Sequence, residues 1–422
     1  MTITHLRSNR FRMPDHPKPI ENMSETEPTL IVHPREGTPD PTDTPADLER
    51  AIKKLAASPM PVAIDVERAS GFRYSDRAYL IQIRREDVGT FLIDAATLPH
   101  LQSLGAALQN AVWILHAADQ DLPSLREANL HAPELFDTEV AAQLLGFERI
   151  GLTAVLERTL GVTLDKEHQA SDWSNRPLPR AWLRYAALDV EFLTQLYRAL
   201  SHELYEAGRW DWAQQEFEHI LNLPPKPADP NKWRSIPGAG KIRTRRQLAI
   251  LEQLWRAREE IAKEQDIAPT RLISNRTLVS LAFKPPRNKR ALLNIQQMRR
   301  PRARSHTDEW MSAIKHAKCM SEADLPPLRK HTPPGSLPKV SGWRSAHPDE
   351  FARLKVVRRA IEPLAQQIGI DPAVLLEPRI QKRLAWDGPV LRADEMRDYL
   401  RRRGAREWQI ERVADALVEA IN

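Results

Sequence analysis

Asp65 and Glu67 close the segment PVAIDVER. Alternate residues of an extended strand point the same way, so the two carboxylates share one face at its carboxyl end. Asp-x-Glu occurs five times, beginning at 47, 65, 137, 165 and 189, so the triplet alone says little. What separates the copy at 65 is the apolar run before it: two carboxylates at a buried strand end cost on the order of several kcal/mol unless cations compensate. The segment LHAADQDLPSL offers Asp119 and Asp121 where a second apolar run gives way to a helix, a place where aspartate commonly caps. In RAWLRYAALDVEF, Tyr185 and Asp189 are four residues apart and share a helix face. Four carboxylates and a phenol around one sheet edge form an oxygen-only donor set, which suits Mg2+ or Mn2+ rather than zinc. Two such ions about 3.5 to 4 Å apart would clamp the attacking and leaving oxygens of an in-line phosphodiester displacement.

The charge distribution agrees with a polyanionic substrate. Residues 1–230 hold 23 Lys+Arg against 34 Asp+Glu, and residues 231–422 hold 39 against 22. A basic half of this size suits nucleic acid, whose condensed counterions are released as phosphates are neutralised. An acidic pocket filled by dications attracts the same phosphates that bare carboxylates would repel. Other classes drop out. No run approaches 18 apolar residues, so no membrane span is expected. The single cysteine, Cys319, rules out an internal disulfide, leaves a Cys/His zinc site without partners, and is expected to be a small buried residue. The N-terminal segment lacks the apolar stretch of a secretory signal, and a cytoplasmic location is expected.

The elements that must position these residues follow from hydrophobic patterning. PVAID, AYLIQI and TFLID are short apolar runs joined by turns too short for helices, which predicts three antiparallel strands. LQSLGAALQ has helical spacing, and VWILHAA is a fourth strand able to lie parallel to an earlier one. Beyond Asp121 the pattern is mostly helical, with one helix closing on Gly161 and a long amphipathic run from near Pro179 to near Gly208. Residues 1–45, with eight prolines and no apolar periodicity, are expected to form a disordered tail. Further along, an offset of 103 residues aligns 248–282 with a later copy at 12 identities, among them Leu251 with Leu354, Arg256 with Arg359, Pro269 with Pro372 and Leu281 with Leu384. Trp-Arg-Ser recurs at 233–235 and 343–345. The C-terminal half is thus a duplicated helical unit.

Taken together, IDVER with Asp65 and Glu67, LHAADQDL with Asp121, and YAALD with Tyr185 and Asp189 resemble the three motifs of ribonuclease D, a DEDD exonuclease family with tyrosine in the third motif. LFDTEVAAQLL and GVTLDKEHQASDWSNRPL are also similar to that family, and the repeats resemble its HRDC domains. The resemblance covers about residues 55–422. It implies an α/β RNase H-like 3′–5′ exonuclease domain, a mixed sheet flanked by helices, followed by two all-α HRDC bundles. The expected boundaries are a tail at 1–45, the exonuclease domain at 46–222, a linker at 223–239, the first HRDC domain at 240–322, a proline-rich linker at 323–345 and a second HRDC-like domain at 346–422. It further implies two catalytic Mg2+ or Mn2+ ions held by Asp65, Glu67, Asp121 and Asp189, with Tyr185 orienting or helping to deprotonate the attacking water. The activity implied is release of nucleoside 5′-monophosphates from RNA 3′ ends, tRNA precursors among them, by a protein expected to be monomeric.

Some residues admit two readings. His116 is either a hydrogen-bonded core histidine or a phosphate contact, and Lys166 and Arg176 are either RNA contacts or part of a solvated loop. Lys241, Arg243, Arg245 and Arg246, in a stretch without acids from 231 to 250, favour phosphate contact. Trp233 and Trp343 read as structural anchors. The rival functions are a DNA 3′–5′ exonuclease and a non-catalytic nucleic-acid adaptor. Strands of RNA and DNA of equal sequence separate the first, and divalent-metal binding separates the second.

Overall fold

A computed structural model describes residues 27–98, 100–165, 171–225, 227, 229–328, 335–388 and 392–421. The first elements are β1 (Thr29–Ile31), β2 (Pro41–Thr42) and α1 (Pro45–Ala57), the last opened by Thr44 accepting from the Asp47 N–H, with proline in its first turn. β3 (Val62–Arg68), β4 (Ala78–Arg85) and β5 (Gly89–Ile93) form the expected antiparallel meander. After α2 (Gln102–Ala107), β6 (Val112–Leu115) returns parallel to β3; α3 (Ala118–Glu127) then leads to β7 (Glu134–Asp137), parallel to β6. The mixed sheet runs β2-β5-β4-β3-β6-β7, which puts β3 in its middle. Both faces of a central strand are covered, which is why Val62, Ala63, Ile64 and Val66 are all apolar and all buried. α4 (Thr138–Leu144), α5 (Leu152–Leu160), β8 (Val162–Leu164), α6 (Arg180–Glu191), α7 (Leu193–Glu206) and α8 (Trp210–Leu221) complete this unit.

Two expectations change here. Part of the supposed tail is structured: β1 pairs with β8 and β2 with the sheet edge at β5, while Glu36 binds Arg84 at 3.1 Å. Residues 1–26 lie outside the described residues. Edge pairing uses backbone groups and tolerates proline, so it leaves no hydrophobic periodicity to detect. The stretch after Asp121 also contains β7 and β8, which at four and three residues are too short to show a period.

The C-terminal half repeats at the predicted offset. α9 (Arg245–Glu264), α10 (Pro269–Leu272), α11 (Asn275–Phe283), α12 (Lys289–Leu293), α13 (Pro301–Arg304) and α14 (Thr307–Cys319) make the first copy. The second comprises α15 (Trp343–Ala346), α16 (Pro348–Ile368), α17 (Pro372–Leu375), α18 (Pro378–Asp387), α19 (Ala393–Arg402) and α20 (Glu407–Ile421). α9, α10 and α11 each begin 103 residues before α16, α17 and α18. Trp233 and Trp343 are both buried, as anchors should be. Cys319, expected to be buried, is instead exposed on the last turn of α14.

The two copies attach to the α/β unit differently. The second shares its hydrophobic core. Trp212 stacks on Trp408 with centroids 4.7 Å apart, and Glu216 accepts from Trp408 Nε1 and Arg406 Nε at 2.8 and 2.7 Å. Gly146 (φ +77°) lies so close that a Cβ there would stand 1.9 Å from the Gly369 carbonyl oxygen. The first copy docks through polar contacts to the β3–β4 loop: Asp266 accepts from Tyr74 N, Ser75 N, Ser75 Oγ and Tyr79 Oη at 3.1–3.2 Å. These bonds hold the Asp266 carboxyl below its ordinary value despite some burial. Among the described residues no helix is long and apolar enough to cross a membrane.

Candidate active site

The sheet brings the predicted acids to one place. Asp65 and Glu67 pair with Gln82 and Leu80 of β4, and the register shifts immediately after Glu67, one residue before the strand ends. α6 lays Asp189 against this edge, and oxygens of Asp65, Glu67 and Asp189 lie within 4.8 Å of one another. Asp121, on the first turn of α3, is 5 % exposed and close enough to raise the proton affinity of both Glu67 and Asp189. Asp119 is exposed, on the rim of a different cleft. Of the two aspartates that the sequence offered there, Asp121 is the one beside the cluster, but it stands outside the group of three within 4.8 Å and is paired with Arg68. Tyr185 hydrogen-bonds Asp189 one helical turn away.

The electrostatics follow from crowding acids into a partly buried corner. Burial is the first cause for every member and pushes Asp65 up to about 6. Glu67, Asp121 and Asp189 are raised well above the carboxylate range, first by burial and then by the neighbouring carboxylates. Tyr185 is likewise raised, by burial and then by Asp189, Glu67 and Asp65, so in the metal-free protein its phenol keeps its proton. Such a cluster is a set of hard oxygen donors whose mutual repulsion a divalent cation would relieve. Two clefts flank it, one of about 460 Å³ lined by Arg149, Thr153, Tyr185 and Asp189, the other of about 270 Å³ lined by Glu67, Arg68, Phe72 and Ser171.

Two supporting residues were not singled out by sequence. Arg68 reaches from the strand end to Asp121, Nη1 to Oδ1 at 2.8 Å, and also to the Gln120 carbonyl. Asp137, at the end of β7, accepts from Ala117 N, Ala118 N, Glu139 N and Val140 N at 2.7–3.3 Å, tying the start of α3 to that of α4. Ala117 is thereby held in the left-handed region at φ 57°. The signal was present: an aspartate after the apolar Leu-Phe and before a helical run is a capping pattern. Hydrogen bonds to a charged group are worth about 1.5–3 kcal/mol each and do not add in full. Asp137→Ala should therefore lower stability by about 3 kcal/mol or more, read as a fall in Tm, and should lower activity because Asp121 rides on α3. An unchanged Tm would show that Asp137 is no strut.

The proposed nucleic-acid contacts fare unevenly. His116 binds Thr138 Oγ1 through Nδ1 at 2.9 Å, and burial lowers its pKa to about 4, so it is a neutral core histidine and not a phosphate contact. Arg176 is turned inward: Nε and Nη2 grip Asp94 at 2.6 Å and Nη1 binds the Trp173 carbonyl at 2.7 Å, so it is a structural clamp. Arg245 and Arg246 are occupied by carbonyls beyond the end of α14, among them Leu325 and Met320 at 2.6 Å, and by Glu322. Lys241 and Arg243 remain exposed. Lys166 lies outside the described residues.

A mixed sheet with an acidic cluster at the end of its central strand, fed by a helix bearing Tyr-x-x-x-Asp, defines a DEDD-type 3′–5′ exonuclease. Comparison with known proteins bears this out. A 3′–5′ exonuclease family matches residues 39–205, an HRDC domain family 247–314, and a 3′ to 5′ exonuclease C-terminal domain family 336–421. The second repeat, expected to be HRDC-like, is thus matched by a separate family from the first. Ribonuclease D of Gluconacetobacter diazotrophicus is 30% identical over 303 residues, covering 70% of this chain and 76% of the relative. That of Pseudomonas paraeruginosa is 29% identical, covering 85% and 92%. Among solved structures, a Bifidobacterium adolescentis protein superposes with a TM-score of 0.86 at 35% identity, covering 94% of this chain and 100% of that one. Escherichia coli RNase D, described as an exoribonuclease involved in structured RNA processing, superposes with a TM-score of 0.65 at 25% identity, covering 90% and 98%. The chain belongs to the ribonuclease D family and is a 3′–5′ exoribonuclease.

Proposed function

We propose that this exoribonuclease trims RNA 3′ ends by hydrolysis at a site where Asp65, Glu67, Asp121 and Asp189 hold two divalent ions, Mg2+ or Mn2+. The observation that carries this reading is the convergence of Asp65, Glu67 and Asp189 within 4.8 Å, with Asp121 near enough that the neighbouring carboxylates raise the proton affinities of Glu67, Asp121 and Asp189. Ions held there would bring a water toward deprotonation at neutral pH and offset charge on the phosphate. Tyr185, fixed by its bond to Asp189, orients that water toward the phosphorus. The water oxygen bonds to the phosphorus of the last nucleotide as the bond to the preceding 3′ oxygen breaks. The products are a nucleoside 5′-monophosphate and a chain one residue shorter with a new 3′ hydroxyl.

We infer that the substrates include the 3′ trailers of tRNA precursors, a reading supported by membership in the ribonuclease D family and by the structured-RNA role stated for the E. coli relative. The test is a 5′-labelled RNA carrying a tRNA body and a short trailer, incubated with the protein and Mg2+ or Mn2+. A ladder shortening by single nucleotides and stopping near the acceptor stem is expected, with 5′-monophosphates released. Internal cuts would reject the exonucleolytic mechanism, and a DNA strand of the same sequence degraded as fast would make the substrate class nucleic acid in general.

A further inference from the structure

The two helical repeats share one fold but not one surface. Residues 240–322 hold 19 Lys+Arg against 8 Asp+Glu, whereas 346–422 hold 14 against 13. In the second repeat seven of the twelve arginines are paired with carboxylates: Arg353 with Glu350, Arg379 and Arg406 with Glu377, Arg383 and Arg403 with Asp387, Arg397 with Asp415, and Arg401 with Glu407. Arg406 bridges to Glu216 of the α/β unit. This copy is bound into the enzyme body.

The first repeat contains no acid at all between 267 and 307, a stretch with ten Lys+Arg. Lys289 pairs with Asp308; the other nine, including Arg287, Arg290, Arg299, Arg300, Arg302 and Arg304, are exposed and have no carboxylate partner among the described residues. Solubility alone favours charges of both signs interspersed and does not require a run of ten cations without an acid.

This cationic face also has a place. Arg271 on α10 lays its guanidinium 3.9 Å from the Phe72 ring centre and donates from Nε to the Gly71 carbonyl at 2.8 Å. Phe72 and Gly71 line the cleft that opens on Glu67. α13, bearing Arg302 and Arg304, packs beside α10, and Arg299 and Arg300 immediately precede it. The basic residues therefore begin at the wall of the active-site cleft and lead away from it.

We propose that this face, from Arg271 through Arg299–Arg304 to Arg287 and Arg290, is a phosphate track that holds the single-stranded RNA lying 5′ to the terminal nucleotide, and that the second repeat has no such role. The proposal rests on the exoribonuclease reading above and adds which repeat grips the substrate and along which residues. The contacts are to phosphates, so the track favours length over sequence.

The test uses the full-length protein with Arg299, Arg300, Arg302 and Arg304 all changed to Gln, beside a control with Arg358, Arg359, Arg392 and Arg402 of the second repeat changed to Gln. Binding of a fluorescent 30-nucleotide single-stranded RNA is followed by anisotropy without metal, where no chemistry occurs, across a salt series. The track variant should bind at least about tenfold more weakly, with a salt slope shallower by about 3, from roughly 0.7 for each phosphate no longer neutralised. The control should bind as wild type. With metal, the fall in kcat/KM should be at least tenfold larger for the 30-mer than for a tetranucleotide. Wild-type binding by the track variant, or equal weakening in both quadruple variants, overturns the proposal. Tight binding without hydrolysis by the wild type in metal would instead strike the exoribonuclease reading and leave the track standing.

Discussion

Asp65→Asn should lower kcat for RNA hydrolysis by about a thousandfold or more while the protein stays folded. Asparagine keeps the size and one acceptor oxygen but removes the charge on which a divalent ion depends at the centre of the cluster. A metal contributes several kcal/mol of charge stabilisation in the transition state, and about 4 kcal/mol corresponds to three powers of ten in rate. The loss should fall on kcat and kcat/KM together for short substrates, since the contact acts where charge develops. The measurement is single-turnover hydrolysis of a labelled oligoribonucleotide at saturating protein, with circular dichroism to confirm the fold. A rate within tenfold of wild type would remove Asp65 from the chemistry.

The same substitution should make the metal-free protein more stable. An ordinary aspartate gives up its proton near 3.8, whereas Asp65 in the folded protein holds it to about 6 because burial penalises the charge. Between those values the folded state binds more protons than the unfolded state, so stability falls as pH rises through that window. For Asp65 the loss is on the order of 3 kcal/mol once pH exceeds about 6. Glu67, Asp121 and Asp189, raised in the same direction, extend it to higher pH. In chelator, the Tm of Asp65→Asn should exceed that of wild type by an amount that is near zero at pH 4 and grows to several degrees by pH 7. Saturating Mg2+ should reverse the order, because wild type then gains binding energy that the variant lacks. A difference independent of pH, or a variant less stable than wild type in chelator, would contradict the picture of four acids repelling one another.

The site was legible in the sequence because its chemistry is carried by residue types at fixed spacing on regular elements. Asp65 and Glu67 alternate on a strand, Tyr185 and Asp189 sit one turn apart on a helix, and folding brings these elements together. The duplication was equally visible, since α9–α11 and α16–α18 keep the same spacing. What escaped were features made by tertiary contact. β1, three residues paired only with β8, and β2, two residues added at the sheet edge, carry no period, and Arg176, Arg245 and Arg246 look like free cations until Asp94 and the carbonyls after α14 are placed around them. His116 could be decided only by its neighbour Thr138. The role of a basic side chain is set by its partners in space, and those lie far away along the chain.

Crystals of the full-length protein soaked in Mn2+ and measured for anomalous scattering test the central claim most directly. Two peaks about 3.5–4 Å apart, ligated by oxygens of Asp65, Glu67, Asp121 and Asp189 with Tyr185 beside them, are the expected result. No ordered manganese among these side chains, or an Asp121 still locked on Arg68 and outside the coordination sphere, would contradict it.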